Sequence, residues 1–287
     1  MKVNWYPGHM KKTKELLQKN LKLVDVVFEI LDSRIPISSK NPDIDKITGQ
    51  KPRIVILNKS DLSSEAGNNE WLEYFNKKNI PAVLVNGVTG SGIKNLFNIT
   101  NKLMKNRNDR LIKKGIKNKP IRAMIVGVPN VGKSTVINAL TGKRSAKTGN
   151  KPGVTKGKQW IKLKGNIELL DTPGILWPKL DSKTVSYNLA FTGAIKDDIV
   201  DIETLGLKLV ENIIKKSPKL LIDRYNIVIE EEEKPLEVLN SIAIKRGCII
   251  KGGEIDYTRV TKLIIDEYRK GKIGKITLEL PKDIVEV

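Results

Sequence analysis

Residues 124–134 are Met124-Ile125-Val126-Gly127-Val128-Pro129-Asn130-Val131-Gly132-Lys133-Ser134, and the rest of the chain is organised around them. An apolar run ending in Gly-x-x-x-x-Gly-Lys-Ser is a strand that feeds a glycine-rich turn. Thr135–Leu140 continues as a helix. Pro129 to Thr135 line this turn, and its glycines let successive backbone N–H groups point inward, at a helix N-terminus that already favours anions. Lys133 is placed to reach β- and γ-phosphates, and the Ser134 hydroxyl is a hard oxygen suited to Mg²⁺. A nucleoside triphosphate is the ligand this chemistry implies.

Short apolar runs elsewhere read as buried strands: Val24–Leu31, Arg53–Leu57, Ala82–Val85, Arg122–Gly127 and Ile167–Leu170. Helical stretches lie between and before them, at Met10–Lys22, Glu70–Lys78, Ile93–Lys105 and Ser134–Thr141. The alternation predicts an α/β fold, with a mostly parallel sheet covered by helices on both faces. Beyond Pro178 the period changes. Leu205, Leu209, Val210 and Ile213 recur at helical spacing, as do Val260, Leu263, Ile264 and Tyr268. Only Lys275–Leu280 suggests an extended tail. The expectation is an α/β domain over residues 1–178 and a smaller, mainly helical domain over 185–287. A length of 287 residues agrees with two domains.

Two further motifs follow strands. Asp171-Thr172-Pro173-Gly174 ends the run Ile167–Leu170. Its carboxylate can hold Mg²⁺ through water, and the Gly174 N–H can bond a γ-phosphate. Thr155, in the glycine-rich stretch between the phosphate motifs, could complete the Mg²⁺ shell. Asn58-Lys59-Ser60-Asp61 follows Arg53–Leu57. Asp61 can accept from guanine N1–H and N2–H₂, a pair adenine does not offer, and leaving such partners unmatched is costly. Asn58 can bond the base edge and its own loop, and the Lys59 stem can lie along the ring.

These three motifs resemble those of the translation-factor class of GTPases, in an altered order. Asn58–Asp61 precedes Gly127–Ser134, which precedes Asp171–Gly174. The chain therefore resembles the circularly permuted GTPases, most closely the bacterial ribosome-assembly GTPases of the YlqF/RbgA type. The opening Trp5-Tyr6-Pro7-Gly8-His9-Met10, the segment Leu31-Asp32-Ser33-Arg34-Ile35-Pro36, and Pro152-Gly153-Val154-Thr155 carry the same resemblance. It implies that Asn130, typical of potassium-stimulated members, helps hold K⁺ near the β–γ bridging oxygen. It places Asn86 and Gly87 beside the guanine, where many relatives have Ser-Ala. It also implicates His9 in hydrolysis.

Many GTPases align the attacking water with a Gln directly after the Asp-x-x-Gly motif; here Ile175 stands there, and it cannot bond water. His9 is the single histidine, and beside Gly8 it reads as structural or catalytic from the residues alone. The catalytic set expected is His9, Asn130 and Lys133.

Charge points to the partner. Lys plus Arg is 52 against 32 Asp plus Glu, a net +20. Basic residues crowd into Lys102–Lys119, Lys143–Lys164 and Lys245–Lys275. A surplus of this kind favours polyanions, above all nucleic acid. The acidic run Glu230–Glu233 reads as an exposed turn. With no apolar run near the roughly 20 residues of a membrane span, no apolar leader and one cysteine, a cytoplasmic protein without membrane or disulfides is expected. The expected role is a monomeric GTP-driven switch that binds rRNA and a large-subunit precursor. The alternative is an accessory GTPase of RNA or tRNA modification, against which no second catalytic set or cofactor fingerprint is found. A trafficking GTPase is disfavoured by the lack of a lipidation motif at Val285-Glu286-Val287.

Overall fold

A computed structural model describes residues 15, 17–142, 160–170 and 182–283. Six strands form one sheet: β1 (Val26–Asp32), β2 (Arg53–Asn58), β3 (Ala82–Val85), β4 (Ile121–Val126), β5 (Trp160–Leu163) and β6 (Ile167–Leu170). Their order is β3-β2-β1-β4-β6-β5. Every neighbouring pair is parallel except β5 with β6. The β-branched and aliphatic runs predict strands buried on both sides, and β1 is buried at all seven positions. Strand β5 is an addition to the expected set. Its Trp-Ile-Lys-Leu sequence lies in a lysine-rich stretch, and its half-exposed edge position explains why no apolar run marks it.

Side chains alternate across the sheet. Phe28 and Ile30 face one layer, in a cluster with Ile93, Leu96, Val136 and Leu140 from α3 (Ile93–Leu103) and α5 (Lys133–Thr141). On the opposite face Leu31, Val55 and Leu57 meet Trp71 and Phe75 of α2 (Glu65–Lys77). Beside them, Val27, Met124 and Val126 meet Leu17, Leu21 and Ile44, the last on α1 (Ile44–Thr48). Of the expected helix Met10–Lys22, residues 17–21 are helical and residues 10–14 lie outside the described residues. Helix α2 starts five residues earlier than expected, where Ser64 caps it by accepting from the Gly67 N–H. Gly67 and Asn68, weak helix formers, disguise that first turn. The stretch after α3 is a second helix, α4 (Lys105–Lys113), which buries none of its side chains.

Beyond residue 182 lie α6 (Lys183–Phe191), α7 (Ile202–Lys216), α8 (Lys219–Tyr225), α9 (Pro235–Lys245) and α10 (Tyr257–Arg269). Leu205, Leu209, Val210 and Ile213 of α7 are buried, as are Val260 and Ile264 of α10. These helices approach closely: a Cβ on Gly206 would lie 2.4 Å from Thr261 Cβ. Glu230–Glu233 forms the expected exposed turn.

The tail over 275–280 is not a strand but a strap laid on the α/β region. The Ile276 N–H donates to the Leu62 carbonyl (3.1 Å), and the Leu278 N–H to that of Arg34 (2.8 Å). Trp71 Nε1 donates to the Glu279 carbonyl (2.8 Å). The Glu279 carboxylate accepts from the Ile37 and Ser38 N–H groups, the Ser38 hydroxyl and Asn188 Nδ2. One apolar cluster accordingly runs from Phe28 and Ile35 to Leu209 and Ile264. Among the described residues no helix is long and apolar enough to cross a membrane.

Candidate functional site

Reading the sheet from β1, the chain runs outward through β2 and β3, then resumes on the other side with β4 and β6. The reversal point lies between β1 and β4, and ligands of open α/β sheets bind beyond the carboxyl ends of strands at such a point. Parallel register brings those ends level: Asp32 pairs with Asn58, and Asn58 with Val85. The loops after β1, β2, β3 and β4 therefore meet at one edge.

The P-loop leaves β4 at Gly127, where a Cβ would sit 2.8 Å from the Ile30 carbonyl oxygen. It ends at Gly132, in the left-handed region at φ +94°, which caps α5 without a side chain. A Cβ on Gly132 would lie 2.4 Å from Asn58 Nδ2, so only glycine admits that neighbour. Lys133 reaches back toward the Gly127 carbonyl at 3.5 Å. Pro129 and Gly132 to Thr135 are half-buried, Val131 is buried and Asn130 is exposed. A side-chain-free cap at a helix N-terminus, with no acidic residue in the first turn, is a ready anion cradle.

Asn58 fastens this loop to the others. Its Nδ2 donates to the Val131 carbonyl (2.8 Å), and its Oδ1 accepts from the Gly87 N–H (3.0 Å). The expectation that Asn58 bonds its own loop is corrected: the side chain is buried and joins neighbouring loops. Lys59, at φ +60°, donates from Nζ to the Asn130 carbonyl (2.9 Å) and pairs with Asp32 Oδ2 (3.0 Å). Asp61 is exposed at the rim. Asn86 Oδ1 accepts from the Val88 and Thr89 N–H groups, a local turn that presents Gly87 to Asn58. Asn58, Lys59, Asn86, Gly87 and residues 127–135 thus form one constellation. The Asn130 side chain makes an unexpected contact outside it, donating from Nδ2 to the Gly193 carbonyl (2.5 Å).

Asp32 and Arg34 are functional-site neighbours for which the sequence reading gave no role. Both are buried and joined by two parallel bonds, Nε to Oδ1 (2.9 Å) and Nη2 to Oδ2 (2.8 Å). Burial alone would raise the Asp32 carboxyl, but Arg34 and Lys59 hold it well below the usual range. Burial also lowers the Lys59 ammonium, against the pull of Asp32. The available signal was an Asp ending an apolar strand two residues before an Arg, a pattern suited to a buried ion pair. His9, Thr155, Asp171, Gly174 and Ile175 lie outside the described residues, as does most of Lys143–Lys164.

Comparison with known proteins agrees with this geometry. Residues 122–241 match the family described as 50S ribosome-binding GTPase. Ribosome biogenesis GTPase A of Bacillus cereus is 44% identical over 286 residues, covering 100% of this chain and 96% of that protein. The Thermotoga maritima protein of the same name is 34% identical, covering 99% of this chain and 97% of its own length. The GDP-bound structure of TM YlqF superposes with TM-score 0.70 at 27% identity, over 93% of this chain and 100% of that one. GNP-bound YlqF from T. maritima gives 0.65 at 28% identity, over 95% and 100%. With its Asn58–Asp61 loop stapled to a P-loop that follows it in sequence, the chain belongs to the ribosome biogenesis GTPase A (YlqF/RbgA) family of circularly permuted GTPases.

Proposed function

We propose that the protein is a GTP-hydrolysing switch that assists late assembly of the large ribosomal subunit, binding rRNA and precursor particles in the GTP state. The single observation that carries this reading is Asn58, whose two bonds join the base loop, the Gly87 loop and the P-loop at the strand ends. There Asp61 is assigned to reading guanine, and Pro129 to Thr135, together with Gly174, to binding the phosphates. Lys133 neutralises charge developing on the γ-phosphate.

The Ser134 hydroxyl, beside the bare cap at Gly132, suits a hard cation, and the Thr155 hydroxyl and the Asp171 carboxylate are assigned to the same ion by their chemistry. Mg²⁺ held there would supply charge neutralisation at the phosphates. K⁺ would be met by Asn130 Oδ1, the amide's acceptor atom, while Nδ2 donates to the Gly193 carbonyl. His9 is assigned to aligning or accepting from the attacking water.

The partner reading rests on charge. Lys105, Arg110, Lys113 and Lys114 are exposed on and after α4, and Lys245, Lys251, Lys262, Lys270 and Lys272 on the helical region. Polyanionic backbones meet surfaces of this type. Residues 1–178 then act as a cytoplasmic GTPase domain and 185–287 as its RNA-binding domain.

Sedimentation of the protein with ribosomal subunits, with GDP or a non-hydrolysable GTP analogue, tests the reading. Co-migration with large-subunit particles should appear with the analogue and weaken with salt. If subunits neither bind the analogue form nor stimulate hydrolysis at low salt, the accessory role in RNA modification takes its place.

A further inference from the structure

We propose that Asp32 is a positioning residue of the guanine pocket: it anchors the Lys59 side chain between base loop and P-loop, while Arg34 ties that anchor to α10. The inference rests on Asn58–Asp61 being the guanine loop, and it adds a residue outside the nucleotide motifs.

Lys59 lies at a backbone conformation that L-residues adopt sparsely, so its side chain needs a fixed endpoint to be of use. Two acceptors supply it. The ammonium sits between the Asn130 carbonyl at 2.9 Å and Asp32 Oδ2 at 3.0 Å. Strung between them, the aliphatic stem becomes a flat apolar edge on which a purine can rest. Without Asp32, one neutral carbonyl would compete with water for a flexible ammonium.

Asp32 is itself immobilised. Its two oxygens accept from the Arg34 N–H (3.1 Å), Nε (2.9 Å) and Nη2 (2.8 Å), and its own N–H donates to Ser39 Oγ (3.0 Å). Arg34 in turn lies over the Tyr268 ring at 4.9 Å and donates to the Tyr268 carbonyl at 3.4 Å. Its backbone oxygen accepts from Leu278 of the strap. A continuous set of contacts therefore links Lys59, Asp32, Arg34 and Tyr268. Since linkage is reciprocal, guanine nucleotide should also steady α10 on the sheet.

The anchor acts on the base, so it should serve GTP and GDP alike. Asp32→Asn should raise the dissociation constants of fluorescent GTP and GDP derivatives together, about tenfold, with KM rising and kcat at saturating GTP changing far less. The discriminating measurement is a double-mutant cycle with Lys59→Met. If Asp32 works through Lys59, Asp32→Asn should cost little further affinity in the Lys59→Met protein. An equal loss in both backgrounds, or none in the parent, overturns the proposal. Arg34→Lys, which keeps the charge but loses the two-pronged hold, should give a smaller loss with the same dependence on Lys59. It decides the matter if Asp32→Asn fails to fold. Asp61→Asn is measured in parallel. A switch from GTP to xanthosine triphosphate confirms the guanine loop, so a failure of the Asp32 arm alone would count only against the anchor.

Discussion

The α/β region and the helical region bury polar groups in different ways. In the first, charges are buried near the carboxyl ends of β1 and β2, where Asp32, Arg34 and Lys59 meet. In the second, buried hydroxyls return to their own helices: Ser186 to the Ser182 carbonyl, Thr192 to that of Asn188, Thr261 to that of Tyr257. Its ion pairs lie largely outside, such as Lys215 with Glu211 and Lys270 with Asp266, each four residues apart. An ion taken out of water costs several kcal/mol unless it is matched, so buried charge persists where geometry must be held. The α/β region uses charge to fix the loops that meet at the strand ends. The helical region leans on apolar packing and keeps most of its ion pairs at the surface, with Glu267 against Arg224 as a buried exception.

The largest expected effect lies at the loops. Gly132→Ala puts a Cβ into Asn58 Nδ2 at a φ of +94°, separating the P-loop from the Asn58–Asp61 loop. GTP affinity should fall about a hundredfold or more, the cost of backbone strain plus a broken staple. Titration calorimetry would show it, and near-parental affinity would mean that the staple is dispensable.

Packing is tested next. Gly206→Leu would drive a large side chain into Thr261 and force α7 from α10. Overpacking of this kind costs about 1–3 kcal/mol in denaturant titrations. The contrast predicts that stability suffers more than GTP affinity. A large loss of affinity with stability intact would break it.

Glu29 sharpens the contrast from the other side, since it is buried in β1 with an incomplete match. Arg53 Nη1 lies 3.3 Å from Oε2, but neither carboxylate oxygen accepts a hydrogen bond among the described residues. Burial pushes its carboxyl up to about 7 against the lowering effect of Arg53. Below the ordinary carboxyl value both folded and unfolded chains hold the proton. As pH rises toward 7 only the folded chain retains it, so stability falls across that window and stays reduced above it. Glu29→Gln should flatten this slope and gain about 1–3 kcal/mol at pH 8, with little change at pH 4. Arg53 keeps Asp45 as its partner at 2.5 Å. Melting curves of both proteins at the two pH values check the sign.

The sequence made the phosphate side of this contrast legible and left its charge network largely hidden. Gly127–Ser134 and Asn58–Asp61 follow apolar runs closely enough to place both loops at strand ends, and buried strands announce themselves by composition. The links between loops depend on partners distant in sequence. Asn58 meets Val131, Arg34 meets Tyr268, and Asn130 meets Gly193. No local spacing encodes such pairs. The strap is hidden for the same reason, since Lys275–Leu280 looks like a strand and is held by scattered single bonds to Leu62 and Arg34.

The smallest effect on stability should come from the outer face of the helical region. Lys251 and Lys262 are exposed there, one in the turn before α10 and one on it. Surface substitutions away from caps and cores usually stay within about 0.5 kcal/mol, so the Lys251→Ala and Lys262→Ala proteins should melt like the parent. Their effect should appear in association with rRNA fragments. A lysine that neutralises one phosphate releases about one counterion, and its loss should lower the slope of log affinity against log salt by about 0.9. Removing both should lower it by about twice that, while GTP binding stays unchanged because neither touches the loops at the strand ends. A parental slope would mean that this face of α10 is not where polyanion binds, and would leave α4, with its exposed Lys105, Arg110 and Lys113, as the basic surface to test.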